Sequence, residues 1–274
     1  MDVKKQAYIK LVVRRLYDAQ KLRIQSDLRL QRLIREGIVL KEDAEKVFAK
    51  ALEHEQAAER EYEKIVWREV KDLPIIIKWL DHVRGIGPRL SGLLVANIGD
   101  IAKFPNVAKL WAYAGLHVVD GRAAKRAKGE KANWNAELKT TAWKIAGSFL
   151  KAGGPYKQMY DTYRVRLVER EVTKGNIVWG KPASSSKYTA VHIPVGTEPG
   201  KPPTNPEWTL GRMHNMAMRR TAKMFLSHLW HAWREIEGLP IRPSYAQEYL
   251  GHESYIGPWE ILELQKAAKA AKAG

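Results

Sequence analysis

The chain has 274 residues, 45% of them hydrophobic, with 10 Trp and 11 Tyr, so it can build one large core or two small ones and is not a disordered polyampholyte. Its formal net charge of +17 and pI near 9.9 ask for a polyanionic partner, a phosphate backbone or an anionic membrane surface. It contains no cysteine, which excludes disulfides, thiolate zinc sites and thiol nucleophiles together; no apolar run approaches the roughly 18 residues of a spanning helix.

The first element is expected over residues 3 to 36, a helix without Gly or Pro, with Ile9, Val12, Val13, Leu16, Leu30, Leu33 and Ile34 on an interrupted apolar face. Its basic residues and broken apolar pattern do not read as a signal peptide. Gly37 is placed to end it as a C′ residue. A second helix is expected from about Glu42 to Asp72. There Ala44, Phe48, Ala51, Ala58, Tyr62 and Ile65 recur at three- and four-residue spacing, a short coiled-coil-like seam. Residues 1 to 36 carry a net charge of +6 and residues 41 to 72 carry −3. An antiparallel pairing of the two, within one chain or between two, is therefore electrostatically complementary. Residues 1–73 read as a helical arm, and a homodimer through that arm is the expected assembly.

The stretch Trp79 to Leu94, WLDHVRGIGPRLSGLL, is the pivot. Leu80 and Val83 lead into Arg84-Gly85-Ile86-Gly87-Pro88, and a second apolar run begins at Leu90, Leu93 and Leu94. Glycine tolerates φ > 0, so Gly85 and Gly87 allow a tight reversal. Pro88 suits the first turn of the following helix. The amides of that N-terminus, with the helix dipole behind them, offer an anion site bracketed by Arg84 and Arg89, with Ser91 one turn on. This resembles a helix-hairpin-helix, the module that holds a nucleic-acid phosphate on backbone amides. An ordinary αα-corner would use the same glycines.

Phe104-Pro105-Asn106 signals a turn, and residues 107 to 114 a short helix closed by Gly115. A basic loop follows, with Asp120, Gly121, Arg122, Lys125, Arg126, Lys128 and Lys131, then a helix from about Asn133 to Lys151. From Asp120 to Arg170 twelve Lys/Arg face five Asp/Glu. That loop suits phosphate contacts, with Trp134 placed for stacking or for the core. Trp111 and Trp143 are expected in the core.

The order GIGP, VANIGDIAKFPN, LWAYAGL, basic loop, ELKTTAWKIA resembles the C-terminal half of the insertion-sequence one-hundred-and-ten family transposases, over about residues 40 to 235. The helix at Met213 to Glu235 is similar to that family's closing helix. The resemblance implies DNA as partner and a helical transposase domain after an arm. It does not carry strand cleavage. The family has a strand-built acidic domain, whereas residues 1 to 72 read as helix throughout. It also has a catalytic serine soon after the AYAGL-like segment, where this chain has Val118-Val119-Asp120-Gly121.

Residues 156 to 170 are expected to be helical. Residues 174–206, rich in Gly, Pro and Ser, read as a loop or small β-hairpin with β-prone runs at 177–179 and 188–193. An amphipathic helix over 207 to 236 follows, ended by Gly238 and Pro240. It carries His228, His231 and Glu235, whose spacing matches no zinc motif. Asp81, Asp100 and Asp120 flank the central block but lack a strand scaffold that would converge them on a metal. Asp100 sits where a cap would. Residues 241–274 read as a C-terminal tail ending in Lys-Ala repeats.

The expected architecture is thus mainly α: an arm (1–73), then a helical DNA-binding core (74–240) containing the helix-hairpin-helix. The expected contact residues are Arg84, Gly85, Ile86, Gly87, Arg89, Ser91, Arg122, Lys125, Arg126, Lys128, Lys131 and Trp134, meeting one continuous stretch of backbone. No catalytic residue, metal or cofactor is assigned. The expected function is nucleic-acid binding, DNA before RNA or branched DNA, in the cytoplasm on the nucleoid and without a membrane. Two alternatives stand beside it: a truncated recombinase acting with a partner, and an adaptor that associates through its arm.

Overall fold

The computed structural model describes residues 2–119, 121–125, 129–175, 177–180, 191–194, 210–242 and 256–271. The chain is mainly α and forms two compact units, Met1–Lys103 with Ile236–Leu239, and Phe104–Glu235 with Pro240–Gly274.

In the first unit α1 (Val3–Arg35) opens on Asp2, whose carboxylate accepts from the Lys5 amide at 2.8 Å. It closes at Gly37, φ 71°, with Gly37 N–H on the Ile34 carbonyl and Ile38 N–H on that of Leu33. These are the two bonds of a Schellman cap. α2 (Lys41–Val70) folds back antiparallel, with Lys5 against Glu69 and Arg23 against Glu59. The charge complementarity between the two helices is therefore used within one chain. Most of the sealed apolar residues lie toward the open end of this pair: Ile9, Val12, Val13 and Leu16 of α1 and Val66 and Val70 of α2.

The expected seam does not make that contact. Of its members Ala44 is buried, Tyr62 and Ile65 are half-buried, and Phe48, Ala51 and Ala58 are exposed. The seam is a face left over by the pairing. Near the α1–α2 turn Leu28 is 63% exposed, Leu40 70% and Val47 69%.

Next come α3 (Pro74–Lys78), a 3-10 turn at Leu80–His82 and α4 (Pro88–Ile98). Every residue of α4 from Ser91 to Ile98 is buried, and the helix packs against both α1 and α2. A helix apolar all round is a core helix. Gly92 makes the approach possible, because a Cβ there would lie 2.3 Å from the Val66 side chain. Asp100 accepts from the Ala102 amide at 2.8 Å and caps the short 3-10 turn at Ile101–Lys103, the structural role expected of it.

In the second unit α5 (Val107–Tyr113) is capped by Asn106 and closed by Gly115, φ 63°, in another Schellman pair. α6 (Ala136–Ala152) is capped by Asn135, and α7 (Pro155–Thr173) follows after Gly153 and Gly154. Between α5 and α6 lies a two-stranded ribbon, β1 (Val118–Val119) with β2 (Arg122–Ala123), turning through Gly121 at φ 72°. The insertion holds a second antiparallel pair, β3 (Ile177–Gly180) with β4 (Val191–Pro194), Val178 opposite Ile193.

α8 (Leu210–Ile236) is the spine of this unit. Phe149, Tyr156 and Phe225 pack ring on ring, and Leu167, Val168 and Met213 form a further cluster. Trp230 Nε1 and Arg234 Nη1 both donate to the Phe104 carbonyl, at 2.7 and 3.2 Å. α9 (Pro258–Ala270) buries Ile261 and Leu262, so this later part of the expected tail is packed helix. Trp143 departs from expectation: it is 40% exposed, because α6 buries the face of Leu138, Ala142, Ile145 and Phe149 and Trp143 falls off that face. Trp111 is half-buried and its Nε1 donates to the Lys223 carbonyl at 3.0 Å.

Candidate nucleic-acid interface

In the first unit the turn before α4 uses its two glycines differently. Gly85 takes φ 95°, a value that L side chains resist. Gly87 has φ −114° and ψ −179°, ordinary extended backbone, with open space where a Cβ would stand. Only Gly85 is therefore required by the reversal. Gly87 precedes a proline, which itself favours extended backbone. No side chain caps α4.

The expected contact residues around this turn divide. Arg84 is exposed. Ile86 is buried, and Ser91 is buried with its hydroxyl on the Gly87 carbonyl at 3.0 Å. Arg89 turns onto the arm: Nη1 donates to Gln20 Oε1 at 3.3 Å, and the guanidinium lies 5.6 Å from the Tyr17 ring centre. Its Nε is sealed without a hydrogen-bond partner. Of the two arginines that bracket the turn, Arg84 is exposed and Arg89 is engaged within its own unit.

In the second unit Lys125 and Lys131 are exposed. Arg126 and Lys128 lie outside the described residues, as does Asp120, and Arg122 is placed in β2 by its backbone. Trp134 is half-buried. Its ring fills the space above Gly115, where a Cβ would lie 2.6 Å from Cδ1, and Lys139 Nζ stands 4.3 Å over it. His117 meets it edge-on at 6.0 Å.

Of the cations that sequence reading did not select, Arg219 and Lys139 hold this segment, while Lys223 and Arg220 stand on aromatic rings of α5 and α7. Arg219 on α8 donates from Nη2 to the carbonyls of Leu116 and His117, 2.7 Å each. Lys139 Nζ donates to the Ala124 carbonyl at 3.3 Å. Lys223 Nζ lies 4.0 Å over Trp111, and the Arg220 guanidinium 4.4 Å over Tyr163. Carbonyl dipoles and aromatic faces hold these charges, and such contacts are worth about 0.5–2 kcal/mol each. No carboxylate of the described residues pairs with any of the four.

The electrostatic consequence is direct. Burial lowers the pKa of Lys139, and Arg219 adds to it. Burial also lowers Lys223, with Arg219 and Arg220 repelling it further, and lowers Arg219. A partly desolvated set of like charges is relieved when an anion joins it. The usable signal was the spacing of Arg219 and Lys223, four apart on one helix face.

The histidine pair of α8 does not converge on a metal. His228 is sealed in the core with Nδ1 2.8 Å from the Tyr156 hydroxyl. His231 lies 3.6 Å from Glu235, which accepts from Trp259 Nε1 at 2.7 Å. Among the described residues no group of three or more His, Asp or Glu is placed to hold a metal ion, and no helix is long and apolar enough to cross a membrane.

The helical block from the turn before α4 through α6 into α7 is similar to a transposase domain. Residues 78–161 match the family described as Transposase IS116/IS110/IS902 family. The match includes the core of the resemblance read from the sequence and is narrower than its full extent, leaving out the arm and α8. It makes this a transposase-related chain over that block. No curated protein matches the chain.

Proposed function

We propose that the chain is a DNA-binding protein related to transposases, without strand cleavage of its own, that grips phosphate backbone through the basic surface of its second unit. What carries the reading is the set Lys139, Arg219 and Lys223, partly buried without a carboxylate partner beside the exposed Lys125 and Lys131. The turn at Arg84 and Gly85 is a second contact in this reading, and association with the nucleoid follows from it. The lack of chemistry rests on the sequence, which has no serine between Ser91 and Ser148.

A salt titration of binding to a labelled duplex tests it. Each phosphate contact contributes about −0.9 to the log–log slope. Lys131→Ala and Lys125→Ala should each flatten the slope by about that amount and weaken all sequences alike. Failure to bind DNA at low salt would end the proposal. A covalent protein–DNA adduct on a denaturing gel would end its non-catalytic half.

A second reading concerns assembly: the arm joins two chains. Its support is the apolar surface that the α1–α2 pairing leaves bare near the turn, including Leu28, Leu40 and Val47.

A further inference from the structure

In the second unit the β1–β2 ribbon turns its apolar side chains outward. Successive side chains of a strand point to opposite faces, yet Val118 is 56% exposed and Val119 50%. Solvent therefore reaches both faces of the ribbon. Val118 stands directly across from Ala123, which is also exposed, and residues so opposed share a face. The ribbon is held at its root. The Ala124 N–H donates to the His117 carbonyl at 3.3 Å. Arg219 donates to the carbonyls of Leu116 and His117, and Lys139 to that of Ala124. Both strands are thus pinned by side chains from α8 and α6 where they leave the helical body, and the valines face outward on a fixed mount.

The sequence from Val118 to Lys131 has five Lys/Arg against two Asp/Glu, and Lys125, two residues past Ala123, is exposed. The charge asks for a polyanion, and the methyl groups ask for an apolar feature on it. A valine side chain has neither donor nor acceptor, so it reads no hydrogen-bonding base edge. The apolar feature that duplex DNA presents at its base edges is the C5-methyl of thymine, in the major groove. That groove, about 12 Å wide, admits a two-stranded ribbon. The minor groove, about 6 Å wide, barely exceeds the spacing of two strands, about 4.8 Å, before any side chain is added. From His117 to the turn the strand spans about 10 Å, enough for a groove about 8.5 Å deep. Duplex RNA lacks the methyl, and its major groove is too narrow for side chains to read.

We propose that the β1–β2 ribbon enters the major groove of duplex DNA and covers thymine methyls with Val118 and Val119, while Lys125 meets the flanking phosphate. The inference rests on the DNA-binding reading above and deepens it. It makes the ligand duplex DNA rather than RNA, and it gives the ribbon a preference for A·T pairs.

The test uses the full chain at low salt on two labelled duplexes of one all-A·T sequence, one with thymine and one with deoxyuridine at every thymine position. The two differ only in their C5-methyls. Each base pair of the first carries one, so the result does not depend on where the ribbon lands. Covering one methyl is worth about fourfold in affinity, so the thymine duplex should bind about fourfold tighter, and more where both valines engage. The double variant Val118→Ser, Val119→Ser, at exposed positions and checked by circular dichroism, should bind the two duplexes alike. Lys125→Ala should weaken both and keep their ratio. Equal binding of the two duplexes by the wild-type chain overturns the inference and leaves the DNA-binding reading standing. A ratio that survives the double variant also overturns it, because another part of the chain then covers the methyls. Duplex RNA of the same sequence bound as tightly as the thymine duplex overturns it too. No binding to either DNA duplex removes both readings.

Discussion

The Tyr156 hydroxyl and Nδ1 of His228 lie 2.8 Å apart in the core of the second unit, with both side chains closed to solvent. Burial, partly offset by the backbone of Ile256 and reinforced by nearby His231, holds the His228 imidazole down at about 4. Unfolded, it titrates near the ordinary 6.5. Below 6.5 the unfolded chain therefore binds a proton that the folded chain refuses, and folding stability falls as pH falls. The contribution is whole above about 6.5 and gone by about 4, worth about 3 kcal/mol from the two values. Thermal melts from pH 7 to 4 should show a falling midpoint that His228→Gln makes shallower. An unchanged slope in the variant would mean that His228 ionises freely when folded.

The turn before α4 separates its two glycines. Gly85→Ala forces a Cβ into φ 95° and should cost about 1–2 kcal/mol. Gly87→Val occupies open, extended backbone and should melt within about 0.5 kcal/mol of wild type. Denaturant midpoints of the two variants measure this, and the opposite ranking would contradict the geometry. If Gly87→Val also binds DNA as wild type does, amide crowding at that N-terminus is irrelevant and Arg84 carries any contact there.

Gly115 is held by two constraints at once, φ 63° and the indole of Trp134. Gly115→Ala must move a ring, and overpacking adds about 1–3 kcal/mol to the backbone strain. The expected outcome is a large fall in midpoint and a change in near-ultraviolet dichroism. Gly121→Ala, with equal φ strain but no neighbour within reach, should cost less.

Arg23 and Glu59 tie the two arm helices together at 2.5 Å, with Glu59 nearly buried. Glu59→Ala should cost about 1.5–3 kcal/mol, the range for a charge-assisted bond. Lys5→Ala at its exposed pair with Glu69 should change stability by less than about 1 kcal/mol. Urea unfolding of each variant distinguishes the two.

Light scattering addresses the arm. A dimer is expected at micromolar concentration, and the double variant Leu28→Glu, Val47→Glu should shift it to monomer while leaving helicity intact, because both side chains already face solvent. A wild-type chain that stays monomeric on concentration removes the arm as an interface.

Local chemistry was legible in the sequence. Gly37 and Gly115 end helices in left-handed caps, Pro88 begins one, and Asp100 caps as its side chain dictates, whereas the helix expected from about Asn133 starts only after its cap Asn135. These features depend on neighbours within about five residues, so sequence order suffices. The transposase-like block was readable for the same reason, being a run of motifs in fixed order. The β1–β2 ribbon carried half a signal, Asp120-Gly121 after the β-prone Val118-Val119 but before Arg122-Ala123, and a basic loop was the expectation. What tertiary structure decided is which face of each helix is satisfied. Three- and four-residue spacing marks a possible apolar stripe but not its partner, and the seam residues Phe48, Ala51 and Ala58 lie outside the pairing of α1 with α2 and are exposed in the single chain. Arg89 and Ser91 sit beside the turn in sequence, yet α4 turns Ser91 inward and leaves Arg89 on the arm. Conversely Lys139 and Arg219, eighty residues apart, become neighbours of one segment because α6 and α8 both border it. Charge acts through space, and only the packed chain sets those distances.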